Sequence, residues 1–380
     1  MSTPLTPAAA TQLVVWGGLV LGLLLGAVGQ ATRFCVRGGI ADWVELRQPG
    51  RAIGWVSAMA VGMVAVQLLV ALGQFDATRT TAWATNFPWA SYLVGGAIFG
   101  FGMILAHGCP ERNLVKAGQG NLRAIVVLVV AAISAAMTLR GAFAMLRVNY
   151  LDSLGLQFKT PQDLGSLIGG GLGLSPGAVR GTLAVLALLA VASVVWKLRG
   201  RGAPSHWLGG AAVGLLVAAA FYLTGHLGFI AEHPETLEPA WLGTQSKRPE
   251  GLSFAAPLAH TLDLLTLWSD KNTVATFGVT LSLGVLIGSF ISARLRGEVK
   301  LENFESPADL TGHLVGAVLM GFGGVTAIGC SVGQGVTGMA MLSAGAVLTV
   351  AGIVGGAVAA IRLRARRAGR TLPFAAAAKA

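Results

Sequence analysis

The chain has little charge. Charged residues make up only 11% of its 380 residues, whereas an average soluble domain carries about 25%. That scarcity excludes an ordinary soluble globular protein. Hydrophobic residues make up 54% of the chain, and apolar runs of the ~20 residues needed to cross a bilayer recur along it. The sequence therefore predicts an all-α integral membrane protein.

Cysteine is also scarce. The chain has three cysteines, Cys35, Cys109 and Cys330, and no CxxC pair. Three thiols cannot all pair with one another, so neither a disulfide framework nor a zinc knuckle is expected. With few histidines or carboxylates inside the apolar runs, the ligand set for a soft metal is poor. No cofactor motif is evident, and we expect neither a metal nor a cofactor.

Two further features are missing. The N-terminal segment MSTPLTPAAATQ has no positively charged region, so the first apolar run is predicted to be a retained helix and not a cleaved signal. No pair of acids inside the apolar runs indicates proton coupling, which leaves the driving force open. The net charge of +11 does not indicate nucleic-acid binding, because the basic residues lie between apolar runs.

Nine apolar runs are candidate membrane spans. They fall at about 13–32, 52–73, 89–107, 124–146, 179–197, 207–225, 272–293, 311–329 and 338–361. Two shorter segments, 164–175 and 254–268, are expected to be interfacial or re-entrant. Lysine and arginine concentrate in alternate loops, so the positive-inside rule predicts a periplasmic N-terminus and a cytoplasmic C-terminus, with 362–380 as a basic cytoplasmic tail.

One ten-residue stretch occurs twice. Residues 100–109 and 321–330 both fit GFGxxxAxGC, at a constant offset of 221 residues. A weaker match, GGxxxGLL, relates 17–24 to 209–216. Together they predict one transmembrane domain built as an inverted 4+1+4 repeat. Its halves cover about 13–146 and 207–361, and a helix near 179–197 joins them.

The two Gly-Cys turns are the candidate site. Each ends an apolar run, and irregular backbone at membrane depth is tolerated only where it is buried in protein or lines a cavity. A thiol is a weak donor and a polarizable acceptor, which suits a soft sulfur-containing anion. Pro110 is predicted to begin a short helix whose N-terminus faces the anion, and Ser331 is a possible cap for a second. The candidate residues are Cys35, Cys109 and Cys330, supported by Gly108, Gly329, Arg33, Arg37, His107, Pro110, Ser331 and Gln334.

Some polar residues keep two interpretations. His107 is either a packing histidine or a residue that tunes the thiolate content of Cys109. Glu111 and Arg112 either form an ion pair at the edge of the span or take part in the site. Arg140 is predicted to lie inside the fourth span, where an ionisable side chain usually faces the protein interior, or alternatively extends to the membrane interface.

The cysteine contexts RFCVRGG, GFGMILAHGCPERNLVKAGQG and GFGGVTAIGCSVGQGVTG resemble those of the YeeE/YedE family of bacterial inner-membrane proteins. The likeness covers roughly residues 13 to 361. It implies an hourglass-shaped helical protein that takes up thiosulfate and related ions. The motif cysteines, here Cys35, Cys109 and Cys330, would relay the ion by S–H···S hydrogen bonds. It also implies a TusA-like sulfur-carrier protein as cytoplasmic partner, and some relatives handle selenium.

The main hypothesis is therefore a permease for thiosulfate or a similar ion, and not an enzyme. A membrane thiol oxidoreductase or sulfurtransferase is the first alternative, although the absence of CxxC counts against it. A selenium-species transporter and a non-catalytic subunit or soft-metal carrier are the others. In each transport hypothesis the cysteines act as free thiols.

Overall fold

The computed structural model describes residues 6–198, 203–234, 236–367 and 369. Within them, nine helices are long and apolar enough to cross a membrane, which confirms the all-α membrane class. Their α-helical parts are α1 Pro7–Thr32, α3 Gly50–Ala71, α4 Gly96–Leu105, α6 Leu122–Arg140, α9 Pro176–Leu198, α10 Pro204–Tyr222, α12 Phe277–Leu295, α13 Pro307–Thr326 and α14 Ala344–Arg367.

Shorter elements connect these spans. Five further helices are α2 Val36–Ala41, α5 Pro110–Gly118, α7 Ala142–Leu146, α8 Leu164–Leu172 and α11 Ala255–Thr266. π-helical turns occupy Asp42–Leu46, Ser91–Gly95, Arg147–Asp152, Leu223–Leu227 and Gly333–Gly338. The strands are antiparallel pairs of two residues each, β1 Asn86–Phe87 with β2 Leu156–Gln157 and β3 Phe229–Ile230 with β4 Ala240–Trp241. Helices α8 and α11 fall on the two segments predicted to be too short to span.

Capping residues define several helix starts. Thr6 precedes Pro7 of α1, and its hydroxyl accepts the Ala9 N–H at 3.3 Å. Ser306 does the same before Pro307 of α13. A hydroxyl followed by proline is a favourable start because the proline lacks an N–H that the first turn would leave unpaired anyway.

The helix packing has a twofold pattern. The most extensive contacts are α1 with α12, α3 with α10, α4 with α14, α6 with α13, and α4 with α13. We matched α1, α3, α4 and α6 in order with α10, α12, α13 and α14. The α1–α12 contact then corresponds to the α3–α10 contact, and the α4–α14 contact corresponds to the α6–α13 contact. The α4–α13 contact corresponds to itself. A duplicated four-helix unit would give this pattern. Helix α9 lies outside it, largely exposed and packed mainly on α3.

The repeated glycines hold equivalent interfaces together. In GGxxxGLL, a Cβ at Gly22 would collide with the Leu281 carbonyl of α12, and one at Gly214 would lie 2.6 Å from the Ala58 carbonyl of α3. In a bilayer, helices associate through close packing, which small residues allow. The weak second repeat therefore marks two matching helix interfaces.

The arginine-bearing loops meet at one end of the molecule, which we call the basic end. There Arg33 lies 3.7 Å from Glu298, and Arg123 lies 3.2 Å from Glu302. Arg364, in the C-terminal part of α14, lines one cavity with Arg37, Arg123 and Glu302 from the segments after α1, α5 and α12. Part of the predicted basic tail, residues 362–367, is a continuation of α14. Arg199, Arg201 and the tail beyond Gly369 lie outside the described residues.

The interior-facing interpretation of Arg140 is wrong, and its place at the helix end fits the interfacial one. Arg140 is the last residue of α6, and its exposed side chain pairs with Asp263. Gly141 follows it with φ −109° and ψ −152°, an extended conformation that ends the helix. The apolar run continues beyond this point, so hydropathy alone extended the span too far.

Candidate functional site

Both copies of GFGxxxAxGC fold into the same helix-ending turn. At the end of α4, His107 N–H donates to Ile104 O at 3.3 Å and Gly108 N–H to Met103 O at 3.1 Å. At the end of α13, Ile328 N–H donates to Val325 O at 3.0 Å and Gly329 N–H to Gly324 O at 2.9 Å. These are the two hydrogen bonds of a Schellman motif.

The residue before each glycine is left-handed, with φ 53° at His107 and 57° at Ile328. Neither residue is a glycine, and this conformation is uncommon for other residues. The turn ends the α-helix of each span, and the buried cysteine follows two residues after the left-handed position.

All three cysteines are free and buried. Cys109 and Cys330 are 0% exposed and Cys35 is 6% exposed. The Gly38 N–H donates to Cys35 Sγ at 3.2 Å, and the Gly333 N–H donates to Cys330 Sγ at 3.4 Å. Because each sulfur accepts a backbone N–H, its own S–H remains available as a donor.

Pro110 begins α5 directly after Cys109, as predicted. The equivalent prediction after Cys330 is wrong. Ser331 caps no helix, because the chain forms the six-residue π-helical turn Gly333–Gly338, whose preceding residue is Val332. The buried Ser331 Oγ has no hydrogen-bond partner among the described residues and lies beside the Cys109 thiol. The two halves thus meet where Cys109 faces Ser331.

A carboxyl group lies at this meeting point. Glu111 is 0% exposed, and the Cys109 thiol donates to its Oε2 at 3.9 Å. Its other oxygen, Oε1, has no hydrogen-bond partner in the described chain. Arg112 does not pair with it, because the guanidinium donates to the Gly29 carbonyl at 3.2 Å. The ion-pair interpretation of Glu111 and Arg112 is therefore wrong.

A basic vestibule of about 460 Å³ opens from one side of the buried turns towards the basic end. Arg37, Lys116 and Arg364 line it together with His107 and Asn113. None of the three cations is in an ion pair within the described residues. The acidic residues of this vestibule lie on its rim and bind other partners. The rim acids are Glu302 and Glu305, which bind Arg123, and Asp309, which binds Arg123 and His313.

An opposite vestibule of about 560 Å³ lies on the other side of the turns and is lined by Ile328, Gly333 and Gln334. Arg140 and Glu250, of opposite charge, are among its lining residues. Burial raises the pKa of Glu250, and burial lowers the pKa of His260 although Asp263 opposes this shift. Arg140, which also lines the cavity, is paired with Asp263. This vestibule therefore has a weaker positive field than the basic one.

The two vestibules use equivalent residues. Gln334 Nε2 donates to the carbonyls of Ala327 and Ile328, both at 3.0 Å. Asn113 lies 221 residues before Gln334, and its Nδ2 donates to Gly108 O at 3.0 Å. Each amide thus satisfies carbonyls that its turn leaves free. Sequence reasoning missed Asn113, although the 221-residue offset applied to Gln334 identifies it.

Two predicted supporting residues lie away from the thiols. The Arg33 side chain is 71% exposed in its pair with Glu298. The His107 ring faces the basic vestibule, with Nδ1 3.1 Å from His313 Nε2 and Nε2 3.4 Å from Arg364. Its nitrogens are therefore engaged away from Cys109. Arg37 does line the vestibule, and its buried Nε has no hydrogen-bond partner among the described residues.

One cluster in this vestibule could hold a metal ion. His107, Asp309 and His313 offer ligand atoms within 4.8 Å of one another. We assign no ion to it, because the two imidazoles bond to each other and His313 Nδ1 binds Asp309 at 3.1 Å. The nearby Lys116 and Arg364 would also repel a cation.

Comparison with known proteins identifies the family of the chain. The sequence profile of a family described as Sulphur transport matches residues 31–359. The chain belongs to this family, the YeeE/YedE family. It is 30% identical over 334 residues to "Thiosulfate transporter TsuA" of Escherichia coli (strain K12), covering 87% of this chain and 89% of the relative. The protein of the same name from Spirochaeta thermophila is 26% identical over 342 residues, covering 87% and 93%.

Proposed function

We propose that this member of the Sulphur transport family is a permease that takes up thiosulfate into the cytoplasm of a bacterial cell. The observation that carries the proposal is the pair of Gly-Cys turns. They place the buried thiols of Cys109 and Cys330 between two vestibules that are open to solvent. Two separate cavities, one lined by each of the buried turns, also support the hourglass shape. The names of the two relatives support the substrate.

Cys35, Cys109 and Cys330 relay the ion. A dianion cannot enter a dry constriction without replacements for its water. Thiols offer weak S–H donors, so each position binds the ion briefly and then releases it, as conduction requires. The N-terminus of α5 adds free N–H groups beside Cys109. The ion moves from the opposite vestibule, past the thiols, to the cations of the basic vestibule.

The direction of uptake follows from the charge of the two ends. We place the basic end in the cytoplasm, because loops rich in lysine and arginine stay there. This puts the N-terminus in the periplasm and the C-terminus in the cytoplasm of the inner membrane. A TusA-like sulfur-carrier protein is the expected partner where the basic vestibule opens. The protein is expected to act on the ion only by moving it, without catalysis.

Substrate uptake tests the function directly. Cells that lack other thiosulfate importers and express this chain should take up radiolabelled thiosulfate, and excess sulfate should not compete. The physical reason is that the terminal sulfur of thiosulfate is a soft acceptor for S–H donors, whereas sulfate presents only oxygen. Competition by sulfate as strong as that by unlabelled thiosulfate would contradict the relay. No thiosulfate uptake, with the protein present in the membrane, would favour a selenium species or sulfur transfer.

The basic vestibule gives a second prediction. Replacing Lys116 by glutamine should lower uptake by up to about fivefold, because one partly exposed charge contact contributes about 0.2–1 kcal/mol. Glutamine keeps a donor for the His107 carbonyl, which Lys116 Nζ reaches at 2.6 Å. Lys271→Gln, an exposed change at the other end, is the matched control. Equal uptake by both variants would show that Lys116 does not attract the ion.

A further inference from the structure

Glu111 is a buried acid that the thiol relay leaves without a role. It is fully buried, one of its oxygens has no partner, and its contact on the other is the Cys109 thiol. An acid inside a membrane protein is costly and usually belongs to a functional path. Here the fold positions it tightly, because a Cβ on Gly29 of α1 would lie 3.0 Å from Oε1.

Several titratable and charged groups lie near Glu111. Cys109 contacts it, and the Cys330 thiol is close enough to interact with it electrostatically. Arg112 is the nearest cation on its own helix, and its guanidinium is turned to the Gly29 carbonyl. Lys116, one turn along α5, is bound to the His107 carbonyl. Cys35 is the last titratable group here, and it interacts electrostatically with Cys109.

An ionised carboxylate here would repel the ion that the thiols bind. A buried carboxyl without a cationic partner is favoured as the neutral acid, and the neutral acid can donate its O–H to an anion. The same group can therefore oppose the anion when deprotonated and bind it when protonated. That is the property needed to make anion passage depend on a proton.

We propose that Glu111 carries a proton with each anion, so that uptake is driven by the pH difference across the membrane. The proposal rests on the permease function proposed above. A proton from the periplasmic side bonds to the Glu111 carboxylate, and the acid donates to the anion at Cys109. When the anion enters the basic vestibule, the O–H bond breaks and the proton leaves to water on the cytoplasmic side. One cycle moves one proton and one dianion, with no change in oxidation state.

The test uses the full-length protein in liposomes with thiosulfate on both sides. Valinomycin and equal potassium hold the membrane potential at zero, and only the pH differs across the membrane. One-proton coupling predicts accumulation on the alkaline side of about tenfold for each pH unit. Radiolabel exchange at equal pH is measured in parallel. It reports whether the protein moves thiosulfate at all.

The variants assign the coupling to Glu111. Glu111→Gln should exchange label slowly and accumulate none under a pH gradient, whereas Glu111→Asp should keep accumulation at a lower rate. Glu232→Gln, an exposed carboxyl on the loop after α10, should behave like the wild type. Exchange without gradient-driven accumulation in the wild type would overturn the coupling and leave the permease. Absence of exchange in the wild type would overturn both, and wild-type accumulation by Glu111→Gln would overturn the role of Glu111.

Discussion

Thiosulfate uptake should fall at least about tenfold when Cys109 or Cys330 is replaced by serine. A hydrogen bond to a charged group contributes about 1.5–3 kcal/mol, and 1.4 kcal/mol corresponds to a factor of ten. Serine has nearly the size of cysteine and keeps a hydrogen-bond donor. Its oxygen is less polarizable than sulfur, and its C–O bond is shorter than the C–S bond of cysteine. The change therefore tests the sulfur atom itself. The initial rate of labelled uptake is the measurement, normalised to protein in the membrane.

The control for this prediction is Ser193→Ala on α9, whose exposed hydroxyl bonds only within its own helix. It should transport normally. Both cysteines are fully buried, so each serine variant must also be shown to elute as a single species after extraction. Normal uptake by both serine variants would exclude a relay through these thiols, although the protein would remain a transporter.

The second large effect concerns helix packing. Replacing Gly356 by alanine should destabilise the fold by about 1–3 kcal/mol, because overpacking a tight contact costs this much. A Cβ at Gly356 of α14 would collide with the carbonyl of Ala97 in α4. The contacting atoms belong to the backbone of Ala97, which cannot move aside as a flexible side chain could. Thermal denaturation in detergent, followed by size-exclusion chromatography, measures the loss.

The adjacent glycine provides the control. A Cβ at Gly355 would meet nothing within 4 Å, and alanine is a better helix former than glycine. Gly355→Ala should therefore leave the melting temperature unchanged or raise it. If the two alanine variants melt at the same temperature, close contact between α4 and α14 does not stabilise the protein.

The glycines show how much a local pattern can predict. The repeats GFGxxxAxGC and GGxxxGLL predicted duplicated units, and the packing of α1 on α12 and of α3 on α10 has the matching pattern. The sequence could not show which helix each glycine contacts. Gly22 meets α12 and Gly214 meets α3, and these partners are distant in the chain. Contacts of this kind depend on how all the helices assemble.

The candidate site was likewise only partly predictable from the sequence. Cys109 and Cys330 were identified from their repeated turn, because a helix-ending turn depends on a few neighbouring residues. Ser331 was wrongly expected to cap a helix, since a hydroxyl after a turn favours a cap only if a regular helix follows. The π-helical turn at Gly333–Gly338 removes that condition. The 221-residue offset from Gln334 marks the position of Asn113, but only the fold shows which turn carbonyl its amide reaches.

By itself, the sequence determined the membrane class, the nine spans found among the described residues and the position of the two Gly-Cys turns. These follow from run length, composition and local repetition, which the chain carries wherever it folds. Only the tertiary structure decided that Glu111 is buried at the thiols and that Lys116 and Arg364 share one vestibule. Burial and charge proximity arise when distant helices pack together, and no short segment of sequence contains that information.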